Sequence, residues 1–481
     1  MNRTVLLVSA AGLLALAALV VGLPTQGPPP PPPPVSGGVD TRHTVARPED
    51  PPATLTLPLV TATPTGGALT LSGKLSGAYV REGPGEAFAW LELKARPEES
   101  GRRVPVNLAL VLDRSGSMSG QKLSDARRAA EELVHRLTPE DRLAFIDYGT
   151  EVRVQPGRPV TPAVRAELLG LIRELKDDGS TNISGGLTEA ANALRPHLRD
   201  YRVSRAILLS DGQPTVGLLE DSELFGLARS LRDEGITVSA LGVGDDFQEK
   251  LMRGMAEQGG GYSGFIDDSA RLAEVFSREL DQATSTVARR VELHLTLPPA
   301  VHAVDVLGLP STREGNLVKV PLYDLAANQA VRVVVKLRLE AGASSGPLPL
   351  LDVTARYVDV AKDTAAETAL RLSAGVTRDV VLVQANLDKD VRVHAVRALG
   401  AQQMMAAAEE MKRGNRQAAR GLLDNARQLF GTSASALSAE LQEVDQAEAA
   451  YNDGASSDEI RRQSRSIYKK SMKNFGQDNA Y

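Results

Sequence analysis

Cysteine is absent from all 481 residues. Disulfide frameworks, thiolate zinc sites, iron–sulfur clusters and cysteine nucleophiles are therefore excluded together, and the redox compartment is left open. Aromatic residues are scarce, at 8 Phe, 9 Tyr and 1 Trp, so the core has to be aliphatic and few rings are left to stack on bases or sugars. The six histidines (His43, His135, His197, His294, His302, His394) are dispersed, with no His-Glu-x-x-His zinc helix among them. No Gly-x-x-x-x-Gly-Lys-Ser/Thr phosphate loop occurs either. Charge of one sign is also lacking: the formal balance of −5 gives no argument for a nucleic-acid surface. What remains is ordinary globular usage, 42% hydrophobic and 24% charged, in a chain long enough for about three domains.

The amino terminus carries nineteen uncharged residues from Val5 to Leu23 behind a lone Arg3. A membrane-spanning helix needs ~20 apolar residues, so residues 1–23 read as a signal peptide or a membrane anchor, and either one predicts export. Val20-Val21-Gly22 is a weak cleavage signal, and without cysteine no lipoprotein anchor can form. The unbroken run Pro28 to Pro34 forms a stiff polyproline II spacer within a linker over 24–53.

Short β-type runs then follow: Leu55-Thr56-Leu57, Ala68 to Leu71 and Ala87 to Leu93. Strict apolar/polar alternation returns much later, in Val291 to Leu297 and Val331 to Leu339, and Leu351 to Val360 reads as a further strand. Alternation marks an antiparallel sheet with one wet face, so 54–100 and 287–376 are expected to form one β-sandwich. Between them, over 101–286, buried apolar strands (Val106–Leu112, Leu143–Ile146, Ala206–Leu209, Ile236–Val243) alternate with amphipathic helices. That pattern predicts an α/β fold, a doubly wound and mostly parallel sheet inserted between the sandwich strands. Residues 380–452 read as an α-helical region. The tail 453–481, with Arg461, Arg462, Arg465, Lys469, Lys470 and Lys473, reads as basic and loosely ordered.

The chemistry concentrates at one edge of the α/β sheet. The first central strand ends in Asp113-Arg114-Ser115-Gly116-Ser117, the strand Ala206–Leu209 ends in Ser210-Asp211-Gly212, and Thr181 lies just before a helix starting near Ser184. Carboxyl ends of parallel strands and amino ends of the following helices share one edge. Asp113, Ser115, Ser117, Thr181 and Asp211 therefore converge there. All five are hard oxygen donors, a set suited to Mg²⁺ and after it Mn²⁺ or Ca²⁺. Two carboxylates and three hydroxyls leave the ion's shell short of an octahedral set, so a carboxylate from another molecule is expected to complete it. Competing motifs are weaker. Gly259 to Gly264 fits Gly-x-Gly-x-x-Gly but follows a helix and precedes a strand, the reverse of a dinucleotide turn. Asp245-Asp246 reads as a solvated loop, and Asp267-Asp268 as a helix cap.

These residues resemble the von Willebrand factor type A domain with its metal-ion-dependent adhesion site. Gly242-Val243-Gly244-Asp245 and the turn Gly259–Gly261 resemble the bacterial branch of that family, and the flanking regions resemble bacterial envelope proteins. The resemblance implies that Ser115 and Ser117 bind the ion directly, Thr181 directly or through water, and Asp113 and Asp211 largely through water. It also implies a non-enzymatic adhesion or assembly protein of the cell envelope, gripping an Asp or Glu of a protein partner. A metal-stabilised scaffold or channel-associated subunit is the alternative reading. A metal-dependent hydrolase is disfavoured, because no general base is identifiable beside the ion.

Overall fold

The computed structural model describes residues 60–62, 67–97, 103–244, 248–266, 268–344, 346–451 and 454–476. The expected leader, the proline-rich linker, the run Leu55–Leu57, and Asp245-Asp246 lie outside them. Among the described residues, no helix is long and apolar enough to cross a membrane.

The α/β unit runs β1 (Val106–Asp113), α1 (Gln121–Arg136), β2 (Arg142–Tyr148), β3 (Val152–Pro159), α2 (Pro162–Glu174), α3 (Ile183–Leu194), β4 (Val203–Ser210), α4 (Asp221–Glu234), β5 (Ile236–Val243), α5 (Glu249–Gly259), β6 (Gly260–Ile266) and α6 (Leu272–Thr284). Across the sheet the order is β6-β5-β4-β1-β2-β3. Neighbours are parallel except at the edge, where β3 returns antiparallel to β2. Every residue of β1, β4 and β5 is buried, because helices cover both faces. Leu108, Leu110 and Leu112 pack under α1, α2 and α6, whereas Ala109 and Val111 pack under α3, α4 and α5, following the two-residue period of a strand. The chain reverses its direction of travel across the sheet between β1 and β4, and at such a switch point a crevice opens beyond the strand ends.

Two further sheets flank this unit. One holds Val60–Ala62, Leu69–Leu75, Gly83–Ala95, Ala330–Ala341 and Val301–Leu307 in spatial order. The other is built chiefly from Thr286–Thr296, Leu348–Asp359 and Thr364–Thr377. Leu71, Leu91 and Val333 of the first share a core with Leu293, Val353 and Leu372 of the second, which makes the pair a sandwich. Segments before and after the α/β unit pair directly, with Leu91 opposite Val333. The unit is thus inserted: Val104 enters and Thr284 leaves side by side, the Val104 N–H donating to the Thr284 carbonyl at 2.9 Å.

Among the described residues, five helices follow: α7 (Val380–Ala385), α8 (Lys389–Lys412), α9 (Arg416–Gly431), α10 (Ser438–Ala450) and α11 (Ser457–Asn474). Helix α8 lies on the first sheet, where His394 stacks on Trp90 with ring centroids 5.8 Å apart. Gly400 permits the close approach of α9, since a Cβ there would lie 2.1 Å from Phe430 Cε1.

The basic tail departs from expectation, because most of it is helical rather than loosely ordered. Ser456 and Glu459 form a capping box at the start of α11, and Ile467, Met472 and Phe475 are buried. The Arg332 N–H then donates to the Gly476 carbonyl at 3.2 Å. Sparse apolar residues among many charges hid this amphipathic helix. Strand β3 was also unforeseen: Pro156 and Pro159 interrupt its pattern, and an edge strand tolerates them.

Candidate metal centre

Asp113 closes β1 and is fully buried. Its two oxygens have different partners: Oδ1 accepts the Ser115 N–H at 2.8 Å and Oδ2 accepts the Ser210 hydroxyl at 2.6 Å. Burial pushes this carboxyl above the usual range, while the bonds from Ser210 and Ser115 pull it down and the nearby Asp211 charge pushes it up. A buried carboxylate of this kind gains from a cation at hand.

The remaining expected residues gather at the same edge. The Ser115 and Ser117 hydroxyl oxygens are 3.1 Å apart, and the Ser117 hydroxyl donates to Asp211 Oδ1 at 2.7 Å. Thr181 comes from a separate loop. A Cβ built on Gly212 would meet both Ser117 Oγ at 3.5 Å and Thr181 Oγ1 at 3.9 Å, so the two hydroxyls face a shared cradle beside that glycine. Asp113, Ser115, Thr181 and Asp211 are buried, whereas Ser117 is exposed at the rim. All five are therefore brought to one edge, from three loops.

Residues that sequence reasoning passed over hold these loops in place. The Gly116 N–H donates to the Gly179 carbonyl at 3.1 Å, which ties the first loop to the one bearing Thr181. Thr215 Oγ1 accepts the Thr181 N–H at 2.9 Å, and the Thr215 N–H donates to the Thr181 carbonyl at 2.9 Å. The Thr150 hydroxyl oxygen accepts the Ser180 N–H at 2.9 Å. It sits where a Cβ on Gly179 (φ +74°) would fall, 2.2 Å away. The Asn182 side chain caps α3 by accepting the Gly185 N–H at 2.9 Å. Beneath the loops the Tyr148 hydroxyl donates to the Leu209 carbonyl at 3.0 Å, and burial holds this phenol far above its ordinary range. Small polar residues in loops give no periodic signal, so none of these tethers could be read from pattern alone.

A cation is already present. Lys122 Nζ lies 2.6 Å from Asp211 Oδ2 and donates to the Ser117 carbonyl at 3.3 Å. Among the described residues, no group of three or more His, Asp or Glu side chains is placed to hold a metal. Any ion at this edge would have to be held by a hydroxyl-rich set. Three hydroxyls and two carboxylates offer only hard oxygen, which fits a hard divalent cation.

Residues 107–278 match the family model of the von Willebrand factor type A domain. Over that stretch the chain is similar to the von Willebrand factor type A domain. The uncharacterised protein sll0103 of Synechocystis sp. is 28% identical over 355 residues, covering 70% of this chain and 81% of that protein. YfbK of Escherichia coli is 27% identical over 44% of this chain but only 37% of its own length. Among solved structures, the von Willebrand factor type A protein of Catenulispora acidiphila superposes with a TM-score of 0.64 at 19% identity, covering 78% of this chain and 89% of that one. At that identity the likeness concerns the fold, which extends through the flanking regions as well as the α/β unit.

Proposed function

We propose that this chain is an exported, non-enzymatic binding protein whose α/β unit grips a protein partner through a divalent ion. Domains of this type generally mediate protein interactions, and the geometry around Gly212 supports that reading here. Asp113, Ser115, Ser117, Thr181 and Asp211 would hold the ion, with Mg²⁺ the best match and Mn²⁺ or Ca²⁺ next. When bound, the ion supplies an electrophilic position for an Asp or Glu carboxylate of the partner. The protein's own part is positional. Ser210 and the Ser115 N–H aim Asp113, and Ser117 orients Asp211. Buried Thr181 completes the cradle from the far loop. The exposed rim at Ser117 and Ser119 leaves the edge open to a macromolecule.

The single observation that carries the reading is the convergence of the Ser117 and Thr181 hydroxyls with Asp211 beside Gly212. Export rests on the apolar run Val5–Leu23 and the proline spacer behind it, and an uncleaved leader would also tether the chain to a membrane. The test is a pull-down from envelope extract with Mg²⁺ or EDTA, comparing wild type with Asp113→Ala. Capture only by wild type in Mg²⁺ is expected. Equal capture under all four conditions would overturn the reading.

A further inference from the structure

Lys122 occupies a position that simple electrostatics disfavours. It is the second residue of α1, in the turn where the helix dipole presents its positive end and where acidic residues are favoured. No acidic residue stands in that first turn, and Gly120 offers no side-chain cap. The ammonium is turned away from the helix onto Asp211 Oδ2 at 2.6 Å and the Ser117 carbonyl at 3.3 Å. Its path is specifically accommodated. Gly244, at φ +81°, has no side chain, and a Cβ there would lie 2.9 Å from Lys122 Cε and 3.2 Å from Nζ. Gly244 is itself fastened, its N–H donating to the Ile266 carbonyl at 3.0 Å. The other cation of the loop, Arg114, points elsewhere and pairs with Asp147 and Asp178. Lys122 thus faces the site.

We propose that Lys122 is a tethered counter-ion of the metal centre, one that opposes metal entry and favours carboxylate capture once the metal is bound. The proposal rests on the metal-dependent reading above. Without a metal, Lys122 neutralises Asp211, so an incoming divalent ion has to displace or share that contact and its affinity falls. After loading, the nearby charge counts in the opposite sense. With Asp113, Asp211, Lys122 and a divalent ion the formal charge of the centre is +1, whereas without Lys122 it is zero. A partner carboxylate is drawn to the first and less to the second. One residue therefore sets two affinities in opposite directions, which makes the centre a weak sink for stray metal and a stronger trap for an acid.

The experiment uses the full chain, with calorimetric titration of Mg²⁺ followed by NMR titration of acetate into the Mg²⁺-loaded protein. Lys122→Met is expected to bind Mg²⁺ about tenfold more tightly than wild type and acetate about threefold more weakly. Lys122→Gln, which keeps a polar tip, serves if the methionine variant fails to fold, and the same pair of shifts is expected of it. Gly244→Ala, which displaces the ammonium while leaving the charge in the chain, should tighten Mg²⁺ binding as well. Unchanged or weaker Mg²⁺ binding by a folded Lys122 variant would overturn the proposal while leaving the metal site standing. No Mg²⁺ binding by wild type and variants alike would overturn both.

Discussion

Arg114 and Asp147 form a largely buried pair behind the loop that carries Ser115 and Ser117, with the guanidinium Nε donating to Asp147 Oδ1 at 2.6 Å. Arg114 stands between Asp113 and Ser115, yet its side chain leaves the rim and also pairs with Asp178 at 3.0 Å. Alternate residues of one short loop thus face opposite ways, two toward the cradle and one into the fold. Burial pushes the Asp147 carboxyl up, and Arg114 is the main group holding it down. Arg114→Ala would leave that carboxylate buried and unpaired, a loss expected to cost about 3 kcal/mol. Urea denaturation checks the figure, and Mg²⁺ titration of the same variant should show weakened binding because the loop loses its rear anchor.

Metal binding should itself be visible as stability. A ligand that binds only the folded state at one hundred times its dissociation constant adds about 2.7 kcal/mol. Saturating Mg²⁺ is expected to raise the unfolding transition of the α/β unit in calorimetry, and Ser115→Ala/Ser117→Ala should abolish that rise. A rise of equal size in the double variant would place any ion elsewhere.

A second buried pair joins the inserted unit internally. Arg205 of β4 and Glu279 of α6 meet at 3.3 Å, with both side chains inaccessible, while Tyr262 lies under the guanidinium at 5.4 Å. Glu279→Ala should cost about 3–5 kcal/mol, since the buried cation loses its nearer carboxylate, Asp324 lying at 3.9 Å. Replacing both residues together, Arg205→Met with Glu279→Leu, should recover most of the loss. Denaturant midpoints of the single and double variants decide the point.

The docking of α8 on the sandwich should depend on pH. Burial lowers the pKa of His394, and Arg397 and Arg332 lower it further, against Asp390 and Glu92. The folded chain therefore binds this proton less readily than the unfolded chain. The sign follows: His394 contributes its full stability above about pH 6.5 and loses it as pH falls through the lower folded value. His394→Phe keeps a ring against Trp90 without the titration, so its urea midpoint should fall less than that of wild type between about pH 7 and pH 5.

Close packing between α8 and α9 offers a simpler test. A Cβ on Gly400 would fall 2.1 Å from Phe430 Cε1, so Gly400→Ala is expected to cost about 1–3 kcal/mol. Gly400→Ala combined with Phe430→Leu should recover part of it, as read by thermal melting.

What could be read from the sequence follows from range. Strand β1 announced itself because a doubly covered strand has to be apolar throughout, and Asp113 was legible as its last residue. Ser115, Ser117, Thr181 and Asp211 followed from one topological rule, which needs only the order of strands and helices. Lys122 did not follow. Its contact with Asp211 spans 89 positions and depends on the room left by Gly244, and neither leaves a periodic trace. Thr150 and Thr215 escaped for the same reason. Helix α11 escaped because its buried positions are few, although Ser456 and Glu459 held a readable cap.

The neighbouring entry and exit of the inserted unit have a mechanical meaning. Val104 and Thr284 lie at the amino end of β1, and Asp113 lies at its carboxyl end, about 25 Å away at the rise of an extended strand. A load applied through the rim would reach the rest of the molecule through these two adjoining segments and through cross-braces such as Arg232 on the Val291 and Leu322 carbonyls and Thr237 on Asp324. So braced, the base would pass a pull on the rim into the sandwich without a swivel between the two.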